Sequence, residues 1–322
     1  VRILVTGATS LLGRTVALQL AERGDDVTCF QRSDSGTTLP QVRGDVRDAD
    51  ALTSAARGHD AVVHLAALVA PRASWSDAYA VNVTGTVNAQ RAASECGRFV
   101  HVSSPSVAFH NVAAVAAGTD ASTYSGRDVY ARSKAVAERL VLEKMDVPTV
   151  VVRPHLVWGP GDTQLVGRII ERARQRRLVV PDHGRALIDT TYVDDAAAAI
   201  VAALDKAVPG SEACAKAWVV TGSDPRPVIE LLSGILGAAG LEPLIRSVPA
   251  PLAGLAGRAV DRFWRRDEPP FTYFAIRQLS VAHWFDQREV QRVLDWAPRV
   301  SVDEGIRRLS EWFKLRGHEI TS

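Results

Sequence analysis

Residues 1–13 read VRILVTGATSLLG. Val1, Ile3 and Val5 alternate with Arg2, Leu4 and Thr6, a short apolar run suited to a buried parallel strand. Gly7 follows at once, and after Gly13 the pattern predicts a helix to Arg23. A strand, a tight glycine turn and a helix N-terminus make an anion site, because orphan N–H groups and the helix dipole both favour a diphosphate there. The spacing approaches the dinucleotide fingerprint G-x-G-x-x-G, with Ser10 where the middle glycine would stand. Gly7, Ser10, Leu11, Leu12 and Gly13 are therefore candidate diphosphate-binding residues. An ordinary tight turn in an α/β protein is the plainer alternative. Ser10 carries a Cβ where the fingerprint keeps the backbone bare, so either the diphosphate sits farther out or Ser10 Oγ donates a hydrogen bond to it.

The chain has 322 residues, room for one large domain or a domain with a smaller lobe. Apolar residues make up 47% and charged residues 23%, as in folded globular chains. The formal charge is only +2, and the basic clusters 172–177 and 262–266 are local, which argues against a nucleic-acid partner. Cys29, Cys96 and Cys214 form no zinc spacing and no disulfide framework, so no metal site is expected. Cys29 lies in a predicted strand and reads as a core residue. No basic-then-apolar leader precedes residue 1, and runs such as 196–204 are too short to span a bilayer. A reduced, cytoplasmic protein without an integral membrane segment is the expectation.

Alternating strand and helix patterns continue outward from the opening turn. Strands are predicted at 26–31, 42–46, 61–65, 99–103 and 147–153, with helices at 49–57 (Asp48 as cap), 77–96 and 130–144. Units of about 20–30 residues argue for a doubly wound, Rossmann-type parallel sheet, an α/β fold. The second strand ends at Gln31-Arg32, where such folds face the adenosine ribose. No carboxylate stands there, and Arg32 suits a 2′-phosphate, which points to NADP(H) as the preferred cofactor with NAD(H) also admitted. A solvated loop arginine is the alternative. Ala66 and Ala67 are small residues after a strand, letting the backbone approach a cofactor. His64, beside them, reads as a packed core histidine. Residues 111–128 lack periodicity and read as a surface excursion.

After Pro154 the pattern loosens. Helices are predicted at 165–176, 196–204 (capped by Asp194-Asp195) and 228–240, a strand at 217–221, and two helices within 286–316. The expected division is a dinucleotide-binding domain of residues 1–157 with returns at about 188–222. Residues 158–187 and 223–322 would form a smaller mixed C-terminal substrate lobe.

Ser104 follows a central strand, and Tyr130 and Lys134 are four apart on one helix, hence on one face. A free phenol, with a pKa near ~10, is a poor acid or base at neutral pH until a cation stabilises its phenolate. Lys134 can do so while reaching a cofactor ribose, Ser104 can hold the reacting oxygen, and Tyr130 can exchange its proton. Y-x-x-x-K alone is a weak signal; with Ser104 and the opening turn in the right order it is a constellation.

These residues make the chain resemble the extended short-chain dehydrogenase/reductase family. The matches are the glycine turn, Gly44-Asp45-Val46, His64-Leu65-Ala66-Ala67, Asn82-Val83-Thr84-Gly85-Thr86, Ser103-Ser104, Tyr130-Ala131-Arg132-Ser133-Lys134 and Arg153-Pro154. Finer stretches are similar to 3β-hydroxysteroid dehydrogenases, sterol-4-carboxylate 3-dehydrogenases and 2-alkyl-3-keto acid reductases. They are 102–109, 153–162 and 188–195. The resemblance implies that Asp45 and Val46 sit at the adenine and that Leu65, Ala66 and Ala67 line the cofactor. It also implies that Tyr130 and Lys134 touch the nicotinamide ribose and that the backbone from Pro154 to Val157 lies by the nicotinamide. Asn82 would brace structural segments. A homodimer through the Tyr130 helix is compatible with it.

Residues 248–275 are rich in Leu, Ala, Phe and Trp, either a wall for an apolar ketone or alcohol or an amphipathic helix packed on the core. The arginines within 172–177 read as a solvated helix face, with a carboxylate or phosphopantetheine contact as the alternative. The function expected is a ketoreductase of an apolar substrate, such as a 3-keto acid, steroid-like or polyketide-like ketone. The rivals are a nucleotide-sugar epimerase or dehydratase with tightly bound NAD, and a non-catalytic cofactor-binding scaffold.

Overall fold

The computed structural model describes residues 1–70, 73–108, 113–118, 124, 128–264 and 273–319. Seven parallel strands form the main sheet in the order Ala217–Val220, Thr149–Pro154, Phe99–Val102, Ala61–His64, Arg2–Thr6, Asp26–Gln31, Gln41–Arg43. The chain starts in the middle, runs outward through Asp26–Gln31 and Gln41–Arg43, then returns to the other side of Arg2–Thr6. That reversal leaves a crevice beyond the C-terminal ends of Arg2–Thr6 and Ala61–His64, where doubly wound sheets take their ligands.

Both faces of the sheet are covered, which is why its strands read as continuous apolar runs. Ile3, Leu4 and Val5 are fully buried. On one face the sheet packs with Val16, Ala17 and Leu20 of the Leu11–Glu22 helix and Ala197, Ile200 and Leu204 of the Val193–Lys206 helix. Cys29 belongs to the same core. On the other face lie Leu52 of Ala49–Ala56, Ala89 and Ala92 of Gly85–Ala93, and Val141 of Val129–Glu143. Asp48 caps the first of these by accepting from the N–H groups of Asp50 and Ala51.

A second core joins Trp158, Ile169, Tyr192, Leu231, Ile235 and Leu309. It belongs to a smaller lobe of helices and three short sheets. The largest of these aligns Arg226–Pro227, Leu187–Ile188, His283–Phe285 and Ala114–Ala117. The last two overturn the reading of 111–128 as an irregular excursion. Ala114–Ala117 gains its order from a partner 166 or more residues away, a pairing with no local signature. Residues 109–112, 119–123 and 125–127 of that stretch, and Phe271 of the expected apolar wall, lie outside the described residues.

Two further expectations change. Asp194 and Asp195 do not cap the following helix, which already begins at Val193 with Tyr192 as its cap residue. Asp195 instead accepts from the backbone N–H groups of Arg299 and Val300, tying the C-terminal segment to the sheet. In the Ala250–Phe263 helix only Ala253 and Gly257 are buried, and its large apolar side chains face solvent rather than lining a wall. Among the described residues no helix is long and apolar enough to cross a membrane.

Candidate active site

The opening turn is built as the sequence requires. Gly7 has φ +82°, and a Cβ there would lie 2.7 Å from the Ala66 nitrogen; a Cβ on Gly13 would lie 2.3 Å from the Gly7 carbonyl oxygen. Both positions must be bare for the turn to fold against the neighbouring strand. Ser10 is the N-cap of the Leu11–Glu22 helix: its Oγ accepts from Gly13 N at 3.0 Å and donates to the Gly7 carbonyl at 2.9 Å. Its hydroxyl proton is thus engaged within the turn, which differs from an Oγ that donates to a diphosphate. The N–H groups of Leu11 and Leu12 open the helix with no intrahelical acceptor. Their side chains are turned away, packed against the second core.

Gly7, Ser10, Gln31, Arg32, Asp45, Val46, Leu65, Ala66 and Ala67 line one cleft of about 140 Å³, together with Gly44 of the Gly44-Asp45-Val46 match and with Thr9, Phe30, Ser33 and Val81, which the sequence reading passed over. Bare glycine positions, free helix-start donors and a small-residue wall fit the diphosphate and adenosine of a dinucleotide. His64 is a satisfied core histidine below the cleft. Its Nδ1 pairs with Thr6 Oγ1 at 2.8 Å and its Nε2 with Thr86 Oγ1 at 3.1 Å. Burial drives its pKa down to about 3, so it stays neutral.

The second half of the site rests on the Val129–Glu143 helix. Asp128 caps it, accepting from Ala131 N at 2.8 Å, and so fixes Tyr130 in the first turn. Asn82 sits in a π-helical turn, Tyr79–Thr84, and braces this helix. It accepts from Leu68 N at 2.6 Å and donates to Ser133 Oγ at 2.9 Å, while Ser133 Oγ donates to the Tyr130 carbonyl at 2.8 Å.

The structure brings Ser104 and Tyr130 together. The Tyr130 phenol meets the Ser104 hydroxyl; burial raises its pKa to about 12, with the Ser104 hydrogen bond pulling the other way and the Asp128 charge adding to the rise. Ser106 Oγ donates to Ser104 Oγ at 2.9 Å, across a short 3-10 turn at Pro105–Ala108. Because Ser104 accepts from Ser106, its own proton is turned to the Tyr130 side, toward the phenol oxygen or a substrate oxygen held there, and Ser106 is a functional candidate the sequence reading missed; its signal was a second serine two positions on.

Lys134 shares the helical face of Tyr130, but its Nζ donates to the Val102 carbonyl at 2.7 Å and approaches His101 Nε2 at 3.5 Å. Burial lowers its pKa to about 8, opposed by the charge of Glu138 one turn on. Glu138 in turn holds Arg153 in a buried bidentate pair of 2.9 and 2.5 Å. Pro154 ends the adjoining strand, and Val157 begins a short strand, Val157–Trp158, after Leu156 at φ +43°. Beyond Ser106 lies a cavity of about 270 Å³, bounded by Pro105, Ala108, Ala114, Arg153, His155 and Phe285 among others.

Residues 3–214 match the NAD dependent epimerase/dehydratase family model. The chain is 38% identical over 326 residues to a 2-alkyl-3-oxoalkanoate reductase from Stenotrophomonas maltophilia, covering 96% of this chain and 98% of that one. It is 29% identical to a Mycobacterium tuberculosis 3 beta-hydroxysteroid dehydrogenase/Delta 5→4-isomerase, covering 95% and 88%. Among solved structures, a short-chain dehydrogenase/reductase superfamily protein from Agrobacterium tumefaciens superposes with a TM-score of 0.77 at 23% identity, covering 100% and 99%. That structure holds NAD, as do those of the same fold from Bacillus cereus, Bordetella bronchiseptica and Bacillus anthracis. These findings correct the NADP(H) preference drawn from Gln31-Arg32. In this chain the physical reason is at hand. Arg32 shares its end of the cleft with Asp45, whose carboxylate is held below the usual pKa range chiefly by its hydrogen bonds to Arg47, with the charge of Arg32 adding to this, so Arg32 is not an unopposed cation. Gln31 is committed to Gln41, donating to its Oε1 at 2.9 Å. The chain belongs to the NAD dependent epimerase/dehydratase family, as an extended short-chain dehydrogenase/reductase of the branch that holds the 2-alkyl-3-oxoalkanoate reductases and 3β-hydroxysteroid dehydrogenases, and is an NAD(P)-dependent enzyme of ketoreductase type.

Proposed function

We propose that the enzyme interconverts a ketone and a secondary alcohol on an apolar substrate with NAD(H), the substrate being a 3-keto acid or a compound of similar shape. Residues 1–157, with returns at about 188–222, would hold the cofactor, and 158–187 with 223–322 the substrate. The observation that carries this reading is the hydroxyl relay Ser106–Ser104–Tyr130, set beside a dinucleotide cleft. Bound NAD(H) supplies the hydride. Tyr130, kept protonated by its raised pKa, gives its proton to the carbonyl oxygen in the reducing direction. Ser104, itself receiving from Ser106, donates to that same oxygen as its negative charge grows. Lys134 keeps a positive charge on the same helix face as Tyr130, one turn on, up to about pH 8, and has a third N–H beyond those facing Val102 and His101 with which it would reach the ribose of a bound dinucleotide. The cavity beyond Ser106, walled in part by Pro105, Ala108, Ala114, Val219 and Phe285, favours an alkyl group over a sugar diphosphate, and the oxoalkanoate reductase relative is named for the same chemical direction.

The test is a panel of 2-alkyl-3-keto acids, 3-ketosteroids and UDP-sugars with NADH, read at the nicotinamide absorbance. Net NADH oxidation with a keto substrate is expected. Conversion of a UDP-sugar with no net change in NADH would overturn the reading.

A further inference from the structure

The Ala250–Phe263 helix is apolar on two faces, and only one of them is packed. Ala253 and Gly257 press on the neighbouring Tyr273–Ser280 helix so closely that a Cβ on Gly257 would lie 2.9 Å from Ile276 Cδ1. On the other side Leu252, Leu255 and Phe263 are 58%, 61% and 71% exposed, and Trp264, just past the helix end, is 42% exposed. At roughly 100° per residue, Leu252, Leu255, Ala256, Ala259 and Phe263 form one outward stripe about 100° wide. Arg258 and Arg262 border that stripe. The Arg258 guanidinium lies 4.8 Å from the Tyr273 ring centre, and that of Arg262 lies 5.6 Å from the Phe263 ring centre. Residues 246–264 carry Arg246, Arg258 and Arg262 against Asp261 alone, and Asp261 accepts from Tyr273 N at 3.3 Å.

This helix also stands beside the active site. Phe274, from the helix beneath it, packs edge-on against Tyr124 at 6.1 Å, and the Tyr124 hydroxyl accepts from Asp128 N at 3.2 Å. Asp128 is the cap that fixes Tyr130. Asp261 is near enough to Asp128 for its charge to be felt there.

We propose that the outer stripe of the Ala250–Phe263 helix docks on an anionic lipid surface. Leu252, Leu255 and Phe263 enter the acyl boundary, Trp264 sits at headgroup level, and Arg258 and Arg262 meet lipid phosphates. The cationic border selects this occupant over a second copy of the chain, because a self-complementary contact would bring the same arginines together. The packed face of the same helix reaches the site through Phe274, Tyr124 and Asp128, so docking of the outer stripe would bring the substrate lobe to the bilayer that holds an apolar compound. Docking goes beyond the ketoreductase reading and does not depend on it, since it is measured without substrate.

The full chain is sedimented with vesicles of phosphatidylcholine alone and of phosphatidylcholine mixed with phosphatidylglycerol, at low and raised salt. Binding to the mixed vesicles that salt weakens is expected, and Arg262→Gln should reduce it roughly fivefold, the worth of one cation near an anionic surface. Leu255→Glu combined with Phe263→Ser should abolish it while leaving turnover of a short water-soluble ketone and the melting temperature unchanged; Leu252→Gln should weaken it with less risk to folding. Equal sedimentation with and without vesicles, or a double variant that binds like the parent, would overturn the proposal. So would a parent dimer that the double variant converts to a monomer, because the stripe would then be a subunit interface.

Discussion

Lys134 donates its ammonium to the carbonyl of Val102, 2.7 Å away, at the end of the strand that leads into Ser104. The lysine is therefore tethered to the element that carries the other half of the site. Burial brings its pKa down to about 8, against the charge of Glu138, which raises it. His64 and His101 are neutral in that range, so the charge of Lys134 is what changes. In the reducing direction kcat should fall as pH rises through about 8, and Lys134→Met should lose that limb of the pH–rate profile along with about 10²–10³ in kcat. The stability effect has the opposite sign. Below about pH 8 the folded and unfolded chains both keep this proton. Between there and 10.5 the unfolded chain binds more, so this group makes stability rise with pH. Thermal melts of parent and Lys134→Met across that window check it.

Tyr130→Phe removes the hydroxyl that passes its proton to the substrate oxygen while keeping the ring. The expected loss is about 10²–10⁴ in kcat, with NADH affinity by fluorescence titration unchanged. Full turnover in this variant would end the proposed mechanism.

Ser106→Ala takes away the donor that turns the Ser104 proton to the Tyr130 side. A neutral hydrogen bond of this sort is worth about 1 kcal/mol, so kcat should fall roughly fivefold with KM little changed. Ser104→Ala should cost far more, about 10²-fold, as the loss of a direct oxyanion donor.

Ser10 and Gly13 separate capping from cofactor grip. Ser10→Ala loses a helix cap worth about 1 kcal/mol in a denaturant melt but should leave the NADH dissociation constant nearly unchanged, because Ser10 Oγ is spent on Gly7 and Gly13. Gly13→Ala forces a Cβ against the Gly7 carbonyl and should weaken NADH binding by more than about tenfold, as overpacking of about 1–3 kcal/mol transmitted to the turn. A capping variant that lost cofactor affinity equally would show that Ser10 contacts the cofactor.

Glu138→Gln leaves Arg153 buried without its carboxylate and should cost about 3–5 kcal/mol of unfolding free energy in urea. Pairing it with Arg153→Met should recover much of that loss, the sign of a coupled buried pair.

What the sequence disclosed was local in origin. Gly7 and Gly13, the Asp48 cap and the four-residue spacing of Tyr130 and Lys134 each announce themselves within a few positions. The parallel sheet followed from the alternation of short apolar runs with helices. Contacts between distant segments were not legible. Nothing near Ala114–Ala117 indicates its pairing with His283–Phe285, and nothing near Lys134 indicates that its ammonium turns to Val102. The Arg32 reading failed for a similar reason, since Asp45 is thirteen positions away and meets it only once the strands are side by side. The Ala250–Phe263 helix shows a further limit. A composition rich in Leu and Ala does not say which way an apolar stripe faces, and here small residues take the packed side while large ones look out.

His283–Phe285 lies between Leu187–Ile188 and Ala114–Ala117, and His283 and Phe285 also bound the cavity beyond Ser106. During synthesis the dinucleotide half has its strands and helices long before this segment leaves the ribosome. The cavity wall must wait for it. Such distant pairing carries a high loop-closure cost and is slow to form. A nascent chain halted before residue 283 should thus own a cofactor cleft with its substrate side unfinished, a species prone to capture by chaperones and able to take up dinucleotide before it can take up a ketone.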